Sequence, residues 1–152
     1  MQYSIEKPLE ESKNIVKNIK NQEYENKILI IYGIGLGYLV DEAANKIKNS
    51  SIILYEPNID ILRFVFEIAS IDAISKGNVY LAANKEELKN IVKKLANSDT
   101  DISVSFLNSY KNLFKPDIEN VLNTAIRTVG EICAKKNIMK KIFLPFLIYF
   151  QI

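Results

Sequence analysis

A nearly continuous apolar run, Lys27–Tyr32 (KILIIY), leads directly into a turn that contains three glycines. The run lacks the apolar–polar alternation of a strand with one solvated face, so it predicts a strand that is buried on both faces. Three more short strands are predicted after it, at Ser51–Tyr55, Asn78–Ala82 and Ile102–Leu107. Because strands buried on both faces belong mainly to parallel sheets, the pattern restricts the chain to the α/β class.

Segments with apolar residues at helical spacing separate these four strands. One lies before the first strand, and others follow the glycines, Asn58 and Asn84, the last with Glu87 in the spacing of a capping box. The longest predicted helix begins at Pro116–Asp117. Strands that alternate with helices imply right-handed crossovers. We therefore predict a Rossmann-like parallel sheet of four to five strands in the order 3-2-1-4, flanked by helices.

A length of 152 residues fits one folded unit with a substantial core. We divide it into three parts. Residues 1–26 form an N-terminal helix that packs on the domain, residues 27–137 form the Rossmann-like domain of nucleotide-binding type, and residues 138–152 form an apolar tail.

The tail ends in the apolar sequence IFLPFLIYFQI, at Ile142–Ile152. This run is well short of the roughly 20 residues that a membrane-spanning helix needs, and Pro145 interrupts it, so no transmembrane segment is expected. We expect a last strand or a packing arm. The alternatives are an anchor at a membrane surface, a surface for self-association, or an edge that packs on a further domain.

Composition excludes several kinds of chemistry. The chain has no histidine, so it has no histidine base and no zinc site that requires imidazole. Its one cysteine, Cys133, cannot form an internal disulfide, and we expect a cytoplasmic location. The 20 basic and 18 acidic residues are scattered, which argues against a nucleic-acid partner. No residue cluster predicts a metal site, and no catalytic residue is identified.

The glycine turn is the main functional signal. Gly33, Gly35 and Gly37 are followed by Tyr38, where a helix is expected to begin, and Glu56 stands 19 positions past the last glycine. Glycines allow a tight turn with close backbone approach, and a helix N-terminus favours anions. An acid at this distance commonly accepts hydrogen bonds from ribose. These five residues are our candidates for a nucleotide or nucleotide-sugar site, with a purely structural turn as the alternative.

Two residues after the fourth strand could join the same site. Asn108 and Ser109 lie at the carboxyl edge of the predicted sheet, where open α/β sheets bind ligands, although they are also ordinary loop residues. An S-adenosylmethionine cofactor is less favoured. Enzymes that use it often carry an acid two residues before the first glycine, where this chain has Ile31.

The stretch Tyr32–Phe66 resembles the motility-associated factor (Maf) family of flagellin glycosyltransferases. The likeness lies in the turn GIGLGY at Gly33–Tyr38 and in the tetrapeptide YEPN at Tyr55–Asn58, which precedes a helix rich in isoleucine, leucine and phenylalanine. The chain departs from the family at Leu39, where many relatives have histidine.

The resemblance implies an N-terminal Rossmann-like part of a longer protein. In the family, the central domain is associated with the transfer of nonulosonic acids from cytidine-monophosphate sugars to serine or threonine of flagellin. This chain is too short to contain that domain, so we expect a module that is not catalytic alone and that packs on a second glycosyltransferase domain. The alternatives are a small stand-alone transferase that uses a nucleotide or S-adenosylmethionine, and a non-catalytic interaction or dimerisation module.

Overall fold

The computed structural model describes residues 6–20, 26–68 and 71–149. In this part of the chain, four parallel strands form one sheet in the order β3-β2-β1-β4, flanked by five helices, which confirms the predicted fold class. The strands are β1 (Lys27–Tyr32), β2 (Ser50–Tyr55), β3 (Val79–Ala82) and β4 (Asp101–Ser105). The helices are α1 (Glu6–Lys20), α2 (Tyr38–Lys46), α3 (Ile59–Ile68), α4 (Lys85–Leu95) and α5 (Asn108–Tyr149), with a short 3-10 helix at Asp72–Ser75.

Strand β1 is the centre of the sheet, and all six of its residues are buried. Its Leu29 pairs in parallel register with Ile52 of β2 on one side and Ser103 of β4 on the other. Side chains alternate between the two faces, so Leu29 belongs to one apolar cluster and Ile30 to the other. Burying each of these side chains fully stabilises the fold by about 1.5–3 kcal/mol.

The helices cover the sheet in two layers. Helices α1, α2 and α3 contribute buried side chains to one cluster, including Val16, Leu39 and Leu62. Helices α4 and α5 cover the opposite face through Leu88 and Val121. The carboxyl ends of β1 and β2 therefore lie between α3 in one layer and the start of α5 in the other.

Helix α5 begins earlier than predicted. The structure starts it at Asn108, eight residues before the predicted start at Pro116, and it runs for 42 residues. The predicted strand up to Leu107 also ends earlier, at Ser105. Proline lacks an N–H and usually marks a first turn, but here Pro116 lies within the helix, at the expense of one backbone hydrogen bond. Pro116 therefore predicted the helix correctly, but the helix begins at Asn108 and not at Pro116.

Over the residues that the structure describes, the apolar tail is helical and adds no fifth strand. Residues 142–149 continue α5, and the sheet of the described residues has four strands. The run lacks valine and threonine and is rich in leucine, isoleucine and phenylalanine, so composition alone did not separate strand from helix. Side-chain packing of residues 138–149, and all of residues 150–152, lie outside the described residues. Within the described ranges, no helix is long and apolar enough to cross a membrane.

The N-terminus of α4 is capped by the side chain of Asn84. The Asn84 side chain accepts a hydrogen bond from the Glu87 N–H at 2.9 Å, and the Glu87 carboxylate accepts one from the Ala83 N–H at 2.8 Å. We predict that Asn84→Ala lowers the free energy of unfolding by about 1 kcal/mol, because it leaves a helix N–H without a partner.

Urea unfolding measures this difference, with Asn90→Ala as a matched control. Asn90 is exposed within the same helix, so alanine there is expected to be neutral or slightly stabilising. Equal stability of the two variants would contradict the role of Asn84 as a cap.

Candidate functional site

The glycine turn between β1 and α2 has a conformation that only glycine adopts without strain. Gly33, Gly35 and Gly37 all have positive φ angles, of 82°, 52° and 86°. Two N–H groups of the turn bind backbone carbonyls. The Gly33 N–H donates to Tyr55 at 2.8 Å, and the Gly37 N–H donates to Ile34 at 2.8 Å.

The side chain of Glu56 binds the glycine turn. This residue follows β2 and is only 2% exposed. One carboxylate oxygen accepts a hydrogen bond from the Ile34 N–H at 3.0 Å, and the other accepts one from the Asn58 N–H at 2.9 Å. The carboxylate therefore ties the glycine turn to the segment that begins α3, and burial of its charge is compensated by two charge-assisted bonds.

The side chain of Tyr110, in the first turn of α5, also contacts the glycine turn. Its hydroxyl accepts a hydrogen bond from the Gly35 N–H at 3.2 Å. A Cβ atom on Gly33 would overlap the Tyr110 ring. The lack of a side chain at Gly33 is thus what lets the aromatic ring approach the backbone.

These contacts occupy most of the donors of the turn. The N–H groups of Gly33, Ile34, Gly35 and Gly37 all have oxygen partners within the chain. In a phosphate-binding turn, several such groups would point to the ligand. In this chain, the Glu56 carboxylate and the Tyr110 hydroxyl bind two of these N–H groups instead.

A groove of 360 Å³ opens beside the turn, at the carboxyl edge of the sheet. We call it the aromatic groove. It lies between the segment after β2 and the first two turns of α5. Its walls are mainly apolar, and its lining residues are Tyr32, Glu56, Pro57, Asn58, Ile61, Ser109, Tyr110, Leu113 and Phe114.

Three aromatic rings build one wall of the aromatic groove. The ring centroid of Tyr32 lies 6.2 Å from that of Tyr110 and 6.1 Å from that of Phe114, while Tyr110 and Phe114 are 5.6 Å apart. Tyr55 extends the cluster from β2, at 5.6 Å from Tyr32. Separations of 4.5–7 Å are those at which aromatic rings attract each other, so the wall is preorganised.

The tyrosine hydroxyls of this cluster stay protonated. Burial, a hydrogen bond to Asp117 and the charge of that carboxylate raise the pKa of Tyr32, whose hydroxyl donates to Asp117 at 2.7 Å. Burial also raises the pKa of Tyr55 and Tyr110, and the negative charge of Glu56 raises both further. The groove is therefore lined with neutral phenols in a negative electrostatic field.

The structure brings together some of the predicted site residues and separates others. Glu56 and Ser109 line the aromatic groove, and Gly33 and Gly35 contact Tyr110 at its edge. The other three candidates are not among the residues that line the groove. Gly37 faces Ile71, Tyr38 begins α2, and the Asn108 N–H donates to Glu11 of α1 at 2.6 Å.

The sequence did not lead us to predict that Leu113 and Phe114 line the aromatic groove. Tyr110 and Phe114 are four residues apart, the spacing of one helix face, but that signal depends on a helix that begins before Pro116. With Asn108 as the first helical residue, the pair becomes a recognisable aromatic stripe.

The lining residues supply apolar surface, hydrogen bonds and one buried carboxylate. Such a set can bind and orient a ligand. In the described ranges, no group of three or more acidic or cysteine side chains is placed to hold a metal ion. Comparison with protein-family models and with curated proteins finds no match to this chain.

The contact between Gly33 and Tyr110 generates a sharp mutational test. We predict that Gly33→Ala lowers the free energy of unfolding by at least about 2 kcal/mol, because the new methyl group meets the ring and an L-residue at positive φ is strained.

The matched control is Gly77→Ala, which should change stability by no more than about 0.5 kcal/mol, because nothing lies within 4 Å of a Cβ there. Chemical denaturation of both variants gives the comparison. A Gly33→Ala protein as stable as the Gly77→Ala protein would show that Tyr110 does not sit on the turn.

Proposed function

We propose that this chain is a ligand-binding, Rossmann-like module of a Maf-type flagellin glycosyltransferase. In this proposal the aromatic groove holds the nucleoside part of a ligand, and the module does not transfer a sugar by itself. The observation that carries the proposal is the groove itself, a preorganised aromatic cleft at the carboxyl edge of a parallel sheet, where α/β folds bind ligands.

The relation between the two Maf-like motifs supports the assignment. The turn GIGLGY contains Ile34, and the tetrapeptide YEPN contains Glu56 and Asn58. The Glu56 carboxylate binds both Ile34 and Asn58 through their N–H groups. A single side chain thus connects both motifs, which gives a physical reason for the two to occur together in one protein.

The shape and chemistry of the groove favour a nucleoside. A flat base packs well against the rings of Tyr110 and Phe114, and stacking on aromatic side chains is a common way to bind bases. Asn58 and Ser109 place an amide and a hydroxyl at the rim. Each carboxylate oxygen of Glu56 has a second lone pair in addition to the one that binds a backbone N–H. The carboxylate is therefore able to accept a hydrogen bond from a ribose hydroxyl.

Thermal-shift measurements test the binding proposal. The compounds are adenosine, cytidine, cytidine monophosphate, S-adenosylmethionine, NAD and ATP. A ligand at 100 times its Kd adds about 2.7 kcal/mol of stability, so at least one compound is expected to raise the melting temperature clearly. No shift from any of them would contradict the proposal.

A pair of variants locates the binding. Leu113 is 74% exposed and lines the groove, whereas Ile126 is 50% exposed on the same helix and lies away from it. We expect Leu113→Ala to weaken the stabilising compound about fivefold, from lost apolar contact, and Ile126→Ala to leave its affinity unchanged. Equal effects of the two variants would place the ligand elsewhere.

A second candidate function, self-association, is favoured by helix α3. This helix buries only Leu62 and Val65, and it exposes five large apolar side chains. They are Ile59, Ile61, Phe64, Phe66 and Ile68. Exposed apolar surface on this scale usually marks an interaction site. Helix α3 also exposes charges of both signs, Asp60, Arg63 and Glu67, so two copies of it are able to attract each other.

Light scattering after size exclusion tests this second candidate. We predict that the parent protein is a dimer and that Phe64→Glu is a monomer, because a buried unpaired carboxylate in the contact is costly. Ile126→Glu adds the same charge at a similarly exposed site on α5 and is expected to remain a dimer. A monomeric parent would rule out self-association through α3.

A further inference from the structure

We infer that the aromatic groove selects phosphate-free nucleosides over nucleotides. This inference rests on the proposed function, and it names the chemical class that the groove would take. The class includes adenosine, cytidine and S-adenosyl compounds. It does not include cytidine-monophosphate sugars, so an activated sugar would have to bind outside this groove.

Two N–H groups of the glycine turn are already bound by side chains that line the groove. A phosphate-binding turn directs several unoccupied N–H groups to the ligand. In this chain the Ile34 N–H is bound by the carboxylate of Glu56, and the Gly35 N–H is bound by the hydroxyl of Tyr110. A phosphate would have to displace a buried, doubly bonded carboxylate or an aromatic side chain.

Among the residues that the structure describes, those that line the groove carry a negative charge and no positive one. Among the described residues that line the groove, Glu56 is the one charged side chain, and neither lysine nor arginine occurs. Two nearby lysines, Lys111 and Lys115, are exposed on α5 and do not line the groove. A third, Lys85, is paired with Asp117 at 3.2 Å. A phosphate in the groove would face a carboxylate without a compensating cation.

The electrostatic field around the tyrosines points in the same direction. Beyond the effect of burial, the charges that raise the pKa values of Tyr32 and Tyr55 come from Asp117 and Glu56, and the pKa of Tyr110 is raised by Glu56. Both carboxylates are negative. Lys85 lies 3.2 Å from Asp117, and the hydrogen bond from the Gly35 N–H lowers the pKa of Tyr110, so Glu56 is the charge that faces the groove without a cation. The same field that disfavours a phenolate disfavours a phosphate dianion at the same place.

Titration calorimetry with matched pairs of compounds tests the inference. Adenosine is compared with adenosine monophosphate, and cytidine with cytidine monophosphate. Within at least one pair, the nucleoside is expected to bind at least about tenfold more tightly than its monophosphate, because like charges close together in a partly buried site repel strongly. Equal binding, or tighter binding of the monophosphates, would overturn the inference while leaving the proposed function intact. Absence of binding by all four compounds would overturn the inference, and together with no thermal shift from any compound of the panel it would overturn the proposed function as well.

A matched pair of lysine variants separates charge from shape. Ser109 lines the groove, and Asn112 is exposed on the same helix and does not line it. Ser109→Lys is expected to reduce the preference for the nucleoside at least about threefold, because it places a cation at the rim. Asn112→Lys adds the same charge to the protein and is expected to leave the preference unchanged. If neither lysine changes the preference, or both change it equally, the electrostatic explanation is wrong.

Discussion

The site depends on the buried carboxylate of Glu56 more than on any other single group. A charge with 2% exposure is tolerated only when hydrogen bonds replace its hydration, and two backbone N–H groups do so here. Those bonds fix the glycine turn and the start of α3 relative to β2. Removal of the carboxylate would leave both N–H groups without their acceptor, so this side chain has a structural role whatever the groove binds.

The glycines of the turn have a different use from the one their spacing suggests. In dinucleotide-binding proteins, glycine lets the backbone approach a pyrophosphate. In this chain, Gly33 lets the backbone approach the ring of Tyr110, and the Gly35 N–H binds the hydroxyl of the same residue. The left-handed backbone and the close approach are the same in both cases, and the approaching group differs. A glycine pattern therefore predicts a close contact at the turn without specifying whether a ligand or a side chain makes it.

Local signals explain which parts of the structure could be predicted. The strand order followed from the apolar runs and the handedness of crossovers, and the cap at Asn84 followed from a spacing of three residues. The partner of Glu56 could not be predicted in this way, because it depends on the backbone conformation of a turn 22 positions earlier in the chain. The aromatic wall was missed for a related reason. It requires α5 to start at Asn108, and the strongest local signal, Pro116, points to a later start.

At its early start, α5 contacts the N-terminal helix. The Glu11 carboxylate of α1 accepts a hydrogen bond from the Asn108 N–H at 2.6 Å, and a negative charge at a helix N-terminus is favourable. Helix α1 thereby holds the first turn of α5, that turn carries Tyr110, and Tyr110 covers the glycine turn and forms one wall of the groove. The groove is thus connected to α1 through one hydrogen bond and the first turn of α5. No residue of α1 itself lines the aromatic groove, so any influence of this helix on the groove acts through the first turn of α5.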